Sequence, residues 1–142
     1  MIAFADASAL VKLYADEADA APVRSADTLI VCALSRVEVA SALWRKHRLD
    51  ELDSDLTRLL VHDFEADWYG TDDEPARFVI VSVTSAILER AAQVTAVHAL
   101  RSGDAVQLAA ALAARAVEPA CDSMLVFDEA LRRAAAREGF GA

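Results

Sequence analysis

Only 6% of the 142 residues are aromatic, and the chain holds just 4 glycines, 3 prolines and 2 cysteines. Hydrophobic residues still make up 56%, so alanine, leucine and valine must build the core. That composition suits helices packed closely on a sheet and excludes a disordered or fibrous chain. With so little glycine and proline there is no low-complexity linker, no repeat and no internal boundary. Residues 1–142 are therefore expected to form one domain, a length that suits a single core.

Long apolar runs are also missing. None reaches the roughly 18 residues of a membrane span, and the longest candidate, AVQLAAALAARAV, is broken by Gln107 and Arg115. The N-terminus lacks a basic stretch, and Asp6 falls where a signal peptide needs apolar residues. The expectation is a soluble, cytoplasmic protein. Cys32 and Cys121 are far apart and match no metal spacing, which reads as two small buried hydrophobes in a reducing compartment. His47, His62 and His98 are scattered and read as surface or helix-end residues. The GxGxxG, Walker and GxSxG patterns are absent, which disfavours nucleotide-cofactor, P-loop and serine-hydrolase chemistry. Positive charge is short too: 14 Lys and Arg stand against 23 Asp and Glu, for a net charge of −9. This argues against nucleic-acid binding by overall charge and leaves only a local basic patch, for which Arg36, Arg45, Lys46, Arg48 and Arg101 are the candidates.

What is present alternates strands with helices. Residues 2–5 (IAFA), 28–33 (TLIVCA), 78–83 and 124–127 (MLVF) read as strands. Helices are expected over residues 8–17, 35–47, 49–67, 84–99, 104–117 and 129–138, the last ended by Gly139. Within them, Val37, Ala40 and Trp44 share one face, and Leu52, Leu56, Leu59 and Leu60 are expected to point inward. Val39, Leu43 and Trp44 suit either a core or a partner groove. GTDDEPAR reads as a loop, and the acids between residues 63 and 74 as a solvated helix end and loop. Alternating strands and helices predict an α/β fold with a parallel sheet covered on both faces, where ligands bind beyond the C-terminal strand ends.

Four carboxylates stand at comparable places. Asp6 follows IAFA, Glu38 lies one turn into the helix after TLIVCA, Asp104 opens the alanine-rich helix, and Asp128 follows MLVF. Each has an ordinary explanation as a helix cap: Asp6 and Asp128 as N-caps, Ser35 with Glu38 as a capping box, and Asp104 with Gln107 as nearly one. Together they suggest more, because a parallel sheet brings several of these termini to one edge. Clustered carboxylates repel and raise one another's pKa, a penalty that a hard divalent cation such as Mg²⁺ or Mn²⁺ removes. An all-acid cluster of that kind points to phosphoryl chemistry.

Four stretches, DASALVKLY, SRVEVASALW, LRSGDAVQLAAAL and FDEALRRAA, appear in this order along nearly the whole chain. Together they resemble PIN-domain ribonucleases of the VapC toxin type, from toxin–antitoxin systems. The resemblance implies a three-layer α/β/α PIN-like domain with a central parallel sheet. It implies a Mg²⁺- or Mn²⁺-dependent endoribonuclease, a hydrolase of phosphodiester bonds in RNA, held in check by a cognate antitoxin. Carried over by motif, Asp6, Glu38, Asp104 and Asp128 are the catalytic, metal-site acids, and Ser8 orients Asp6 or a metal-bound water, or simply opens the helix. Family members often close with a further strand after the last helix; here residues 139–142 leave it short or absent. A homodimer is expected from the apolar helix faces left over. Two other readings stay open. One is an acid-cluster phosphatase or receiver-like phosphotransfer domain, although Ser8 stands where a phosphatase would carry a second Asp. The other is a non-catalytic PIN-like binding module.

Overall fold

The computed structural model describes residues 1–15 and 18–141. Four strands, β1 (Ile2–Ala5), β2 (Thr28–Cys32), β3 (Phe78–Val81) and β4 (Ser123–Leu125), form one sheet in the order β3-β2-β1-β4. Every pairing is parallel, with Ala5 beside Leu125, Phe4 beside Ile30 and Cys32 beside Val81. β1 and β2 are almost wholly apolar because both faces of a parallel sheet are covered. Alternate residues serve the two layers. Phe4, Ile30 and Met124 enter one core with α5 (Ser85–His98), α6 (Ser102–Val117) and α7 (Glu129–Arg137). Ala3, Ala5, Leu29 and Val31 enter the other with α1 (Ala7–Tyr14), α3 (Ser35–Arg48) and α4 (Ser54–Tyr69). The result is a three-layer α/β/α domain.

Several boundaries differ from the sequence reading, each for a local reason. A short helix, α2 (Ala21–Arg24), opens on a proline in its first turn and precedes β2; its four residues are too few to show periodicity. The helix expected from residue 49 starts at Ser54, because Asp50 takes a left-handed conformation (φ 59°) and Asp53 caps the first turn by accepting from Leu56 N at 2.7 Å. β4 stops at Leu125, because the Phe127 N–H turns away to the Ser8 hydroxyl at 2.9 Å. The expected end of the first helix, residues 16 and 17, lies outside the described residues. After α7 the chain makes one parallel bridge, Gly141 to Ser123, in the place of a closing strand.

Two inward faces also differ. On α3 the buried stripe is Ser35, Val39 and Leu43, while Val37 is 66% exposed. Val39 and Leu43 are therefore core residues. On α4, Thr57, Phe64 and Trp68 turn inward, and Leu56 and Leu59 face solvent. The aromatic side chains decide this face: Phe64 packs on Tyr14, Trp68 and Phe78 with ring centroids 5.5–6.3 Å apart. Aromatic rings bury more area than leucine and gain from edge-to-face packing. His98 ends α5 with its side chain only 4% exposed, its Nε2 2.8 Å from Glu138 Oε1. Cys32 and Cys121 are free, buried thiols. Among the described residues, no helix is long and apolar enough to cross a membrane.

Candidate active site at the sheet edge

Because all four strands run the same way, their C-terminal ends share one edge. Asp6 follows β1 directly there, and its N–H still bonds Leu125 O at 3.2 Å. Asp128 lies three residues beyond β4 on that edge. Glu38 arrives from the first turn of α3, after β2, and Asp104 from the first turn of α6. Asp122 precedes β4 and is exposed at the opposite edge.

Capping explains two of the four acids only. Asp6 caps α1, its Oδ1 accepting from Ala9 N at 3.0 Å, and Asp128 caps α7, its Oδ2 accepting from Leu131 N at 2.9 Å. The capping box expected of Ser35 and Glu38 does not form. Leu34 occupies the N-cap position of α3, Ser35 is already inside the helix and fully buried, and both side chains instead meet Gln107. Asp104 is not a cap either, since Arg101 holds that position on α6.

The electrostatics tie the four together. Asp6 is 4% exposed, and its pKa is pushed up to about 7. Burial is the main cause, opposed by hydrogen bonds from Ser8 and Ala9 and reinforced by the charges of Asp104 and Glu38. Glu38 is raised by burial and by Asp104, against the lowering bond from Gln107. Asp104 is raised by burial and by Asp128, against the neighbouring Arg101. Asp104 is thus the hub of the group, coupled to each of the other three. The Arg101 guanidinium lies 3.5 Å from Asp104 Oδ2 but is mostly exposed, so solvent screens it and the repulsion is left largely uncompensated.

Glu38, Arg101, Gly103 and Asp104 line a cavity of about 310 Å³. Gly103 keeps it open: a Cβ there would stand 3.3 Å from Glu38 Oε2. On its other side Glu38 also borders a groove of about 530 Å³ that runs along α3 past Arg45 and Lys46. Lys46 there faces Glu51 at 4.0 Å. Arg36 is held within the fold. It pairs with Glu65 at 3.4 Å and lies over the rings of Phe64 and Tyr69.

These donors suit a hard divalent cation. They are all oxygens, they repel one another, and burial makes their charge costly until it is compensated. Among the described residues, no three His, Cys, Asp or Glu side chains already converge as a metal ion requires. Mg²⁺ and Mn²⁺ retain several waters and commonly rely on one or two direct carboxylates, so three converged side chains are not required.

Two contributors escaped the sequence reading. Gln107 reads there as a break in an apolar run and a near capping partner of Asp104, and Gly103 lies just outside the helix expected from residue 104. Neither spacing nor composition marks them; only the Gln107 bonds to Ser35 and Glu38 and the closeness of Gly103 to Glu38 do.

A parallel α/β/α domain with carboxylates gathered over the C-terminal sheet edge is a recognisable class of architecture. The chain belongs to the PIN domain family, whose model matches residues 3–137. A similar solved structure is a toxin–antitoxin complex from Klebsiella pneumoniae, with 18% identity and a TM-score of 0.57 over 89% of this chain and 86% of that one. At that identity the likeness is one of fold. Among curated proteins, none matches the sequence.

Proposed function

We propose that this chain is a metal-dependent endoribonuclease, the VapC-type toxin of a cytoplasmic toxin–antitoxin pair. The observation that carries the reading is the burial of Asp6 beside Glu38 and Asp104, acids whose ionised forms repel one another and which a divalent cation would hold together. Membership of a family whose domains are generally nucleases supports it, and so does the fold shared with a toxin–antitoxin complex.

Asp6, Glu38, Asp104 and Asp128 are the residues that would hold Mg²⁺ or Mn²⁺. A cation bound there supplies positive charge to a phosphodiester and makes water a better nucleophile. The chain's own residues do the rest. Ser8 and the Ala9 N–H fix the Asp6 carboxylate, the Gln107 amide fixes Glu38, and the packed sheet edge excludes bulk water from Asp6. Arg101 at the rim, with Arg45 and Lys46 along the adjoining groove, offers phosphate contacts to a single RNA strand. A cognate antitoxin would cover the acidic mouth, presenting Arg or Lys to the carboxylates.

RNA cleavage with Mg²⁺ or Mn²⁺, and again with EDTA, tests this directly. Cleavage should require the cation and disappear in Asp6→Asn and Asp104→Asn, with circular dichroism unchanged. Cleavage at the parent rate in EDTA or in either variant overturns the metal mechanism. Antitoxin binding without any RNA cleavage by the free protein points instead to a non-catalytic binding module.

A further inference from the structure

Gln107 is 1% exposed, in the middle of an alanine-rich helix. It lies three residues after Asp104 on α6, hence on the same helix face. Its Nε2 donates twice across to α3, to Glu38 Oε1 at 2.7 Å and to Ser35 Oγ at 2.9 Å. A carboxylate only accepts, so the amide nitrogen must face it, which leaves Gln107 Oε1 pointing elsewhere. That oxygen is buried with no partner among the described residues. An unpaired buried carbonyl disfavours folding, and an apolar side chain of the same size would pack there without that penalty.

We propose that Gln107 is a positioning residue, holding the Glu38 carboxylate in place for the cation. The inference rests on the metal reading above and names a residue that the four acids alone do not supply. The amide cross-links the two helices that carry Glu38 and Asp104, so the relative placement of both acids passes through one side chain. Its second bond, to the buried Ser35, restricts the amide to one orientation. Gly103, one turn earlier on α6, leaves the space into which Glu38 Oε2 projects. Partners that orient a metal ligand in this way typically account for about 10–100-fold in metal affinity.

The test is calorimetric titration of Mn²⁺ into the metal-free full chain, with the melting temperature in EDTA measured alongside. Gln107→Met keeps the volume and removes the amide. It should weaken Mn²⁺ binding by about 10–100-fold, well beyond any change in the melting temperature in EDTA, where relief of the unpaired Oε1 offsets the bond lost by Ser35. Gln107→Asn keeps an amide but falls one methylene short of Glu38, and it carries the same expectation for affinity should the methionine variant not fold. Parent-like Mn²⁺ affinity in the folded variants overturns the role. So does an affinity lost only in step with a lower melting temperature in EDTA, which marks a structural strut. A parent chain that gives no Mn²⁺ binding heat overturns the cation reading itself and this inference with it. That failure is recognised by its appearance in the unmutated protein.

Discussion

The Ser8 hydroxyl donates to Asp6 Oδ1 at 2.6 Å and accepts from the Phe127 N–H at 2.9 Å, joining the end of β1 to the segment that leads into Asp128. One small side chain thus satisfies a buried acid and a backbone donor together. Ser8→Ala leaves both without that partner. It should destabilise the fold by about 1–3 kcal/mol, measured by urea denaturation, and push the Asp6 pKa still higher. An unchanged unfolding midpoint would show that water replaces the hydroxyl at no cost.

Asp6 predicts a pH dependence of the metal-free protein. Its pKa is raised to about 7, so the folded chain holds a proton that the unfolded chain has lost. The associated stability is fully present below the ordinary carboxylate pKa and is lost as pH rises through about 7. Glu38 and Asp104 are shifted in the same direction. In EDTA the melting temperature should therefore fall between pH 5 and pH 8, and Asp6→Asn should flatten much of that fall. Mn²⁺ should restore the loss at pH 8. Equal slopes for parent and variant would mean that Asp6 ionises without difficulty.

Gly103 separates stability from cation binding. Its backbone is helical, so alanine there is conformationally acceptable and can add up to about 1 kcal/mol of helix propensity. The new Cβ would stand 3.3 Å from Glu38 Oε2, and the carboxylate must shift by a few tenths of an ångström to admit it. Gly103→Ala should keep or raise the melting temperature in EDTA while weakening Mn²⁺ binding. Unchanged Mn²⁺ affinity would show that Glu38 accommodates the methyl group without leaving its working position.

How much of this was legible beforehand follows from the kind of residue involved. The strands were readable because β1 and β2 are uninterrupted apolar runs, and an acid directly after such a run stands out. The inward face of α4 was only partly so: Leu52 and Leu60 do pack against the core, but Phe64 and Trp68 set the face and turn Leu56 and Leu59 to solvent. Gln107 was hidden for a different reason. A polar residue inside an alanine helix reads as a break in the run or a capping partner of Asp104 until its partner Glu38, 69 positions away in sequence, is known.

An uncovered sheet edge motivates a prediction about assembly. β3 closes one side of the sheet, with Val79 53% and Ile80 38% exposed, and Leu88 on α5 is 51% exposed. An apolar sheet edge left open invites pairing, and we expect a two-fold dimer to cover it. Light scattering at micromolar concentration should give twice the chain mass, and Ile80→Glu should return the monomer. A monomeric parent would rule this out.

The remaining question is which late acid joins the site. Asp122 and Asp128 lie on either side of β4, and at about 3.3 Å per residue an extended chain separates them by up to roughly 20 Å. β4 runs parallel to β1, with Leu125 beside Ala5, so Asp128 falls at the edge that carries Asp6 and Asp122 at the other. Asp128 also raises the Asp104 pKa, which places its charge within reach of the hub. Asparagine caps a helix about as well as aspartate, so Asp128→Asn should keep the bond to Leu131 N and the stability of α7 while removing only charge. Mn²⁺ affinity and RNA cleavage should both fall in this variant. Asp122→Asn should alter neither, and its stability should stay within about 0.5 kcal/mol of the parent, as for most exposed substitutions. A loss of Mn²⁺ binding in Asp122→Asn, with Asp128→Asn unaffected, would place the cation at the opposite end of β4 and overturn the assignment of the site.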